Sequence, residues 1–176
     1  AGIYPFATFG LDDPRHAEVV DASLRHWVLM GAGGWTGWCV PWAAILQAHR
    51  GNADGAVAWL HFWRDNFVNE GRGPLHDARA PGTVVRARHP GSPEVMQIEA
   101  GMGALSAAFE LLVQCRYDGI HVLPALPLEW KELRFRRIRA VDGFLFDADV
   151  SDGRVTRIQV TATRDARLVL HHPLGE

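Results

Sequence analysis

The chain has 176 residues, of which 48% are hydrophobic, and its 18 basic and 20 acidic residues give a formal net charge of -2. This composition is typical of a globular protein with one or two domains, and it excludes disordered and collagen-like chains. The basic residues are scattered among the acidic ones, which argues against a nucleic acid as a partner. No apolar run approaches the length of a membrane-spanning helix, so a membrane is not expected as a partner either.

A first helix is predicted to begin at Asp13. Aspartate can accept hydrogen bonds from the unpaired NH groups of a first helical turn, and the following Pro14 suits the first helical position. Apolar residues then recur at the three- and four-residue spacing of a helix. This helix is expected to end at Gly31.

Two further helices are predicted in the first half of the chain. Thr36 can cap the second, which runs to about His49 and ends at Gly51, a residue that readily adopts the left-handed conformation of a helix C-terminus. Asn52 can cap the third, whose apolar spacing continues to Phe67. Three helices in succession predict helix-on-helix packing.

A long irregular segment separates these helices from a fourth. Residues 69–98 contain many of the glycines and prolines of the chain and only one possible short strand, at 83–88. The sequence VMQIEAGMGALSAAFELLVQ, residues 95–114, then predicts an apolar helix. One face of this helix carries Met102, Leu105, Phe109 and Leu112.

The period of the apolar residues changes from Asp118 onwards, which predicts β-strands. Within residues 144–150, a strand is indicated by the apolar alternation of Phe144, Phe146, Ala148 and Val150. Asp152-Gly153 is a hairpin turn signal, and the chain then returns towards a last strand near 166–170. The C-terminal third is therefore predicted to be antiparallel β-structure.

We place the domain boundary near residue 118. Residues 1–117 form the helical part and residues 118–176 form a small antiparallel β domain, with 118–130 as a connecting segment packed against both. The predicted fold class is α+β. No internal repeat is visible at this length, although paired helices can belong to a larger α/α array.

Tryptophans cluster around the second and third predicted helices, at Trp35, Trp38, Trp42, Trp59 and Trp63. Aromatic side chains three and four residues apart usually share the packed face of a helix. The alternative is a carbohydrate platform, because an indole ring stacks against the apolar face of a pyranose. The spacing alone leaves both interpretations open.

Glu99 lies in the first turn of the fourth predicted helix, beside glycines. A carboxylate there complements the positive end of the helix dipole, so capping is the simplest interpretation. The same holds for the other acids near loops and helix ends, Glu70 and Asp77. A long loop that leads into a helix N-terminus is also where functional sites tend to lie, so a catalytic role stays open.

The sequence lacks the commonest catalytic and phosphate-binding motifs, since it contains no GxSxG, GxGxxG or P-loop. Its nine histidines include no HExxH pair. The adjacent His171 and His172 are interpreted as a solvated feature of the chain terminus. No metal ligand is therefore assigned.

Five segments resemble, in the same order, the C-terminal part of glycoside hydrolase family 95, which contains α-L-fucosidases and α-L-galactosidases. They are TGWCVPWAAILQAHRGNADGAVAWL, LHDA, QIEAGMGALSAAFELLVQ, DGIHVLPALPLEW and VDGFLFDADVSDGRV. The resemblance covers roughly residues 4–160. It implies part of an (α/α)6 toroid, built of α/α hairpins, followed by a C-terminal β domain. It also implies glycoside hydrolysis with inversion, with neither a metal nor an organic cofactor.

The same resemblance implies which residues act. Glu99 stands where the family has an acid that assists activation of the attacking water, whereas the general acid and the water-positioning asparagines lie upstream of the matching region. Substrate-binding residues are expected at the matching positions Trp35, Trp38, Trp42, His76, Asp77 and Gln97. Among the positions that depart from the family pattern, Val40 replaces an arginine and Glu99 replaces an aspartate.

The leading hypothesis is the C-terminal portion of an inverting, α-L-fucosidase-like glycoside hydrolase that supplies part of the sugar pocket. Its partners would be a fucoside- or galactoside-like glycan and the rest of the enzyme, or a partner chain, that completes the barrel. By itself the chain is expected to hydrolyse no glycoside and to associate. The two alternatives are a non-catalytic carbohydrate-binding relative and a purely structural helical and β domain.

Overall fold

The computed structural model of the chain describes residues 2–6, 8–9, 13–80, 82 and 88–174. Within these residues four helices precede six strands, which confirms the α+β class. The helices are α1 (Ala17–Leu29), α2 (Cys39–His49), α3 (Ala53–Phe67) and α4 (Ile98–Leu112). The strands are β1 (Val113–Arg116), β2 (Gly119–Val122), β3 (Leu133–Arg139), β4 (Phe144–Ser151), β5 (Arg154–Ala162) and β6 (Leu170–His171). Of the possible strand at 83–88, all but the last residue lies outside the described part of the chain.

The turn between α2 and α3 has the predicted caps. Gly51 follows α2 with a left-handed φ of 75°, and the Asn52 side chain accepts a 3.0 Å hydrogen bond from a backbone NH in the first turn of α3. The predicted cap of α2 is wrong. That helix begins at Cys39 after Trp38, and the Thr36 hydroxyl lies 3.9 Å from the sulfur of Cys39.

The first helix starts later than Asp13 and Pro14 predict, at Ala17. The Asp13 carboxylate accepts hydrogen bonds from the backbone NH and the guanidinium of Arg15, and it is therefore engaged in a local turn. These bonds hold the pKa of Asp13 well below its usual range. Gly31 follows the helix with a φ of 75°, as predicted for its end.

Helix α2 is the centre of the helical part and packs against both α3 and α4. It is buried on nearly all sides, and even its last residue, His49, is only 7% exposed. A helix that is apolar all round needs neighbours on every side. The side of α4 that faces α2 carries the small residues Gly103 and Ala107, which are buried. No helix in the described part of the chain is long and apolar enough to cross a bilayer.

The opposite face of α4 is apolar and exposed. Ile98, Met102, Leu105 and Phe109 are 62%, 61%, 55% and 45% exposed, respectively. Their spacing of four, three and four residues places them in one continuous stripe, which we call the α4 stripe. Leu112, the remaining residue of the predicted face, packs against the β core. A contiguous exposed apolar surface of this kind usually marks a place where another surface packs.

The strands form two three-stranded sheets, with the orders β1-β2-β6 and β3-β4-β5. The second sheet is antiparallel, and its hairpin turn at Asp152 and Gly153 has the positive φ values, 52° and 72°, that the sequence signal predicts. The first sheet is mixed, because β6 pairs with β2 in parallel. The prediction of a wholly antiparallel β domain is therefore wrong for this sheet. The chain passes from β5 across to the other sheet, where β6 runs in the same direction as β2.

Both sheets contribute to one β core. Strand β4 supplies the four residues that its alternation predicts, and Phe146 is fully buried. Leu145, which the alternation places on the other face, is also buried. Strand β1 follows α4 without an intervening residue, so the helical and β parts are joined directly. The division of the chain at residue 118 stays a prediction.

Candidate functional site

The N-termini of α2 and α4 lie side by side, and the segment 74–77 runs between them. The NH of Gly37 donates to the His76 carbonyl oxygen at 2.9 Å, and the NH of Trp38 donates to Gln97 Oε1 at 2.8 Å. The NH groups of His76 and Gln97 donate in turn to carbonyl oxygens of the surrounding loop, both at 2.9 Å. These bonds bring five of the predicted site residues to one region, which we call the helix mouth and which comprises Trp38, His76, Asp77, Gln97 and Glu99.

A glycine is needed at position 37 because the loop lies directly against the chain there. A Cβ on Gly37 would overlap the carbonyl oxygen of Leu75 and lie 3.1 Å from Gln97 Oε1. Leu75 is only 2% exposed, and its buried side chain anchors the loop in the core. The glycine of the Thr-Gly-Trp sequence therefore has a packing role at the helix mouth.

Trp38 is half-buried at the helix mouth, with part of its ring lying over α4. A Cβ built on Gly103 would lie 2.9 Å from Trp38 Cε3 and closer still to Cζ3. The glycine thus provides the space that the indole occupies. The ring is held between the starts of two helices while part of it remains in contact with solvent.

Trp35 and Trp42, the other two predicted tryptophans, contact α1 instead. Trp35 is 8% exposed, and its ring stacks on Trp27 with centroids 4.5 Å apart and lies 5.2 Å from the ring of Trp59. Trp42 lies 5.9 Å from Trp27 and lines an apolar cavity of about 300 Å³ beside α1. The structure thus places both rings in aromatic and aliphatic packing, and their role as sugar contacts stays a prediction.

The ionisable side chains of the helix mouth include one hydrogen-bonded pair. His76 Nδ1 lies 2.8 Å from Asp77 Oδ1, and each side chain is about one-third exposed. Glu99 is the second residue of α4 and is exposed, and its carboxylate makes no hydrogen bond with the described residues. The carboxylate therefore lies in the first turn of α4 without being folded onto the helix NH groups.

A polar cavity of about 510 Å³ opens next to the same loop, beside the C-terminus of α3. Its walls include Asn69, Glu70, Arg79 and Glu94, and the Asn69 amide donates a 2.6 Å hydrogen bond to Glu94. Of these residues, only Glu70 stood out in the sequence. The others are separated along the chain and converge only in the folded loop, so no local pattern marks them.

A second polar cluster lies in the β part of the chain and consists of Asp118, His121 and His171, which we call the Asp-His cluster. His121 Nε2 lies 3.0 Å from Asp118 Oδ1, and the two imidazole rings are stacked with centroids 4.2 Å apart. Burial lowers the pKa of His121. Burial acts to raise the pKa of Asp118, but the hydrogen bond from His121 and the charges of His121 and His171 together outweigh it and leave that pKa below its usual value. His171 is thus part of a side-chain cluster, although it and His172 are exposed, as their interpretation as a solvated feature expects.

Comparison with known protein families finds a match for the part of the chain that contains the two sheets. This part is similar to the C-terminal domain of a glycoside hydrolase family. The family is glycoside hydrolase family 95, whose C-terminal domain matches residues 114–174. The family resemblance of the sequence motifs is thereby confirmed for this domain.

The similarity to a named relative extends over the helices as well. The chain is 27% identical over 170 residues to Alpha-L-fucosidase 2 from Arabidopsis thaliana. The aligned part covers 93% of this chain and 19% of the relative. The chain therefore spans about a fifth of the length of that relative.

Proposed function

We propose that the chain is the C-terminal portion of an inverting, α-L-fucosidase-like glycoside hydrolase, in which the helix mouth forms one wall of the sugar pocket. The convergence of Trp38, Gln97 and Glu99 at two adjoining helix N-termini carries this proposal. An indole face can stack on the apolar face of a pyranose. The neighbouring carboxylate and the His76-Asp77 pair offer hydrogen-bonding groups for its hydroxyls.

Glu99 is the catalytic residue in this proposal and assists activation of the attacking water. In this role the carboxylate accepts a proton from the attacking water as a general base. Inversion places two carboxyl groups about 6.5 to 9.5 Å apart with the water between them. The general acid then comes from a preceding part of the enzyme.

The α4 stripe supports the proposal that these helices belong to a larger (α/α)6 barrel. Four large apolar side chains along one face of a helix lower the free energy when another helix covers them. We assign that role to the rest of the enzyme, or to a partner chain that completes the barrel. The glycan, a fucoside or galactoside, then binds at the end of the barrel where the helix mouth lies.

One observation favours a non-catalytic carbohydrate-binding relative as the second candidate. Val40, which replaces an arginine of the family pattern, is fully buried in a cluster with Trp35 and Phe67. This position therefore supplies no polar contact to a sugar. A relative that has lost polar contacts but keeps Trp38 would still bind a glycan without hydrolysing it.

Replacing Glu99 with glutamine in the intact enzyme tests the proposal. Turnover of a chromogenic α-L-fucoside should fall at least about 100-fold, because general acid-base groups contribute that much or more. Unfolding by urea should change little. Glu18→Gln is the matched control, since Glu18 is also the exposed second residue of a helix, α1, and also lies in its first turn. That variant should keep full turnover.

Near-full activity of Glu99→Gln would leave Glu99 as a helix cap and refute its catalytic role. Sugar-dependent quenching of tryptophan fluorescence, measured beside turnover, distinguishes the carbohydrate-binding protein from the hydrolase. Quenching without turnover in the wild-type enzyme would support a binding protein. The absence of both quenching and turnover would support a purely structural domain.

A further inference from the structure

The Asp-His cluster lies away from the helix mouth and plays no part in the proposed function. It adjoins a cavity of about 370 Å³ between the end of α2 and the first sheet. One nitrogen or oxygen ligand atom from each of Asp118, His121 and His171 lies within 4.8 Å of the other two. Donor atoms that converge in this way are arranged to share a single ion.

The fold explains why these three residues meet. Asp118 lies in the turn between β1 and β2, three residues before His121 on β2. The parallel pairing of β2 and β6 places His171 directly opposite His121. Side chains at directly paired positions project from the same face of a sheet, and here the two rings are stacked with an angle of 9° between their planes.

The distances within the cluster are close to those of a zinc site. His121 Nε2 lies 3.0 Å from Asp118 Oδ1, and His171 Nε2 lies 3.8 Å from Asp118 Oδ2. With zinc-ligand bonds of about 2.0 to 2.1 Å, neighbouring ligand atoms in a tetrahedral site are about 3.3 Å apart. The two observed distances lie on either side of this value and end on different oxygens of the Asp118 carboxylate. Rotation of the exposed His171 ring out of its stack on His121 is needed to direct both imidazole nitrogens at one ion.

We propose that Asp118, His121 and His171 bind one zinc ion, with water as the fourth ligand. Two imidazole nitrogens and one carboxylate suit zinc, whereas calcium and magnesium prefer oxygen ligands throughout. Arg116 and His49 line the same cavity. The Arg116 guanidinium donates to Gln114 Oε1 at 2.7 Å and to the His49 carbonyl oxygen at 3.2 Å.

Zinc at this position would hold the C-terminal strand in place. Strand β6 has only two residues, and its register with β2 consists of two pairs, Ile120 with Leu170 and His121 with His171. A metal ion bound to His171 and to two residues of the β1-β2 hairpin adds a further link between these strands. The role of the ion is therefore structural, and the inference does not depend on the proposed hydrolase activity.

Zinc titration of the intact, tag-free protein after removal of metal with a chelator tests the proposal. Calorimetry should show one more bound zinc per chain in the wild type than in His171→Ala. Loss of one direct ligand should raise the dissociation constant at least about 100-fold, since loss of an outer partner alone costs 10 to 100-fold. His172→Ala is the matched control, because His172 is the exposed neighbour that lines the same cavity. It should bind zinc as the wild type does.

Zinc should also raise the Tm of the wild type and of His172→Ala but not of His171→Ala, because the ion binds only the folded site. Should His171→Ala fail to fold, Asp118→Asn decides by the same comparison, because it keeps the size of the side chain. If the wild type binds no zinc, or if the ligand variants bind it as tightly, the cluster is a hydrogen-bonded structure only and the proposal is overturned.

Discussion

Replacing Gly103 with alanine should destabilise the chain, although alanine is the better helix former. Glycine to alanine inside a helix gains about 1 kcal/mol in the absence of other contacts. At this position the new Cβ would lie 2.9 Å from Trp38 Cε3 and 3.2 Å from Pro41 Cβ. Carbon atoms prefer separations of about 3.5 to 4.0 Å, so the indole would have to move. Overpacking of this kind costs about 1 to 3 kcal/mol, which leaves a net loss of up to about 2 kcal/mol.

Gly101→Ala is the matched control on the same helix. Its Cβ meets only Pro74, with the nearest atom at 3.2 Å, so most of the helix-propensity gain should remain. Urea unfolding should therefore separate the two variants by about 1 to 3 kcal/mol. The gap should shrink in a Trp38→Phe background, because phenylalanine lacks the part of the indole that lies over Gly103. Equal stabilities of the two alanine variants would refute the reasoning and the position of Trp38.

Three further outcomes are expected. Trp35→Ala should cost about 3 to 5 kcal/mol in urea unfolding, as for other buried large aromatic residues, whereas Trp38→Ala should cost less and should mainly weaken sugar-dependent quenching; equal losses would contradict this difference. Hydrogen bonds from Arg136 and the neighbouring arginines lower the pKa of Asp149. These bonds therefore stabilise the fold at pH values above the ordinary aspartate pKa near 3.8, and this stabilisation is lost as the pH falls below that value. Asp149→Asn should therefore reduce the dependence of the unfolding free energy on pH below that value. If urea unfolding at a series of low pH values shows the same dependence in the variant and the wild type, the prediction is contradicted. The chain expressed alone should associate through the α4 stripe, which sedimentation checks, and a compact monomer at high concentration would contradict it.

Local sequence signals predicted those parts of the fold that depend on a few neighbouring residues. The turn at Gly51 and Asn52 is an example, because left-handed backbone and a side-chain cap both follow from residue type alone. The hairpin at Asp152 and Gly153 is another. In both cases the energy that selects the conformation comes from within the turn.

Other elements depend on contacts that the sequence pattern does not contain. Aspartate is a common helix N-cap, but the carboxylate of Asp13 bonds to the nearby Arg15, and α1 starts later in the chain. The parallel pairing of β6 is set by the route of the chain between the two sheets. A two-residue strand has too little alternation to indicate its partner.

The two candidate sites differ in the same way: the sequence predicted one of them, and the other depends on contacts between distant residues. Three helix-mouth residues, Trp38, Gln97 and Glu99, were predicted through the resemblance of two motifs, and the structure brings those motifs together through the bond from Trp38 to Gln97. The Asp-His cluster had no such signal. His121 and His171 are far apart along the chain, and only the register of β2 with β6 makes them neighbours.

The three indoles of Trp27, Trp35 and Trp59 form an optical reporter within the helical part. Trp27 and Trp35 have centroids 4.5 Å apart and Trp35 and Trp59 have centroids 5.2 Å apart, so their excited states couple. Each ring belongs to a different segment: α1, the loop before α2, and α3. The near-ultraviolet circular dichroism of the chain should therefore report the docking of α1, and the part that comes from the Trp27-Trp35 pair should be lost when α1 detaches even if every helix keeps its hydrogen bonds.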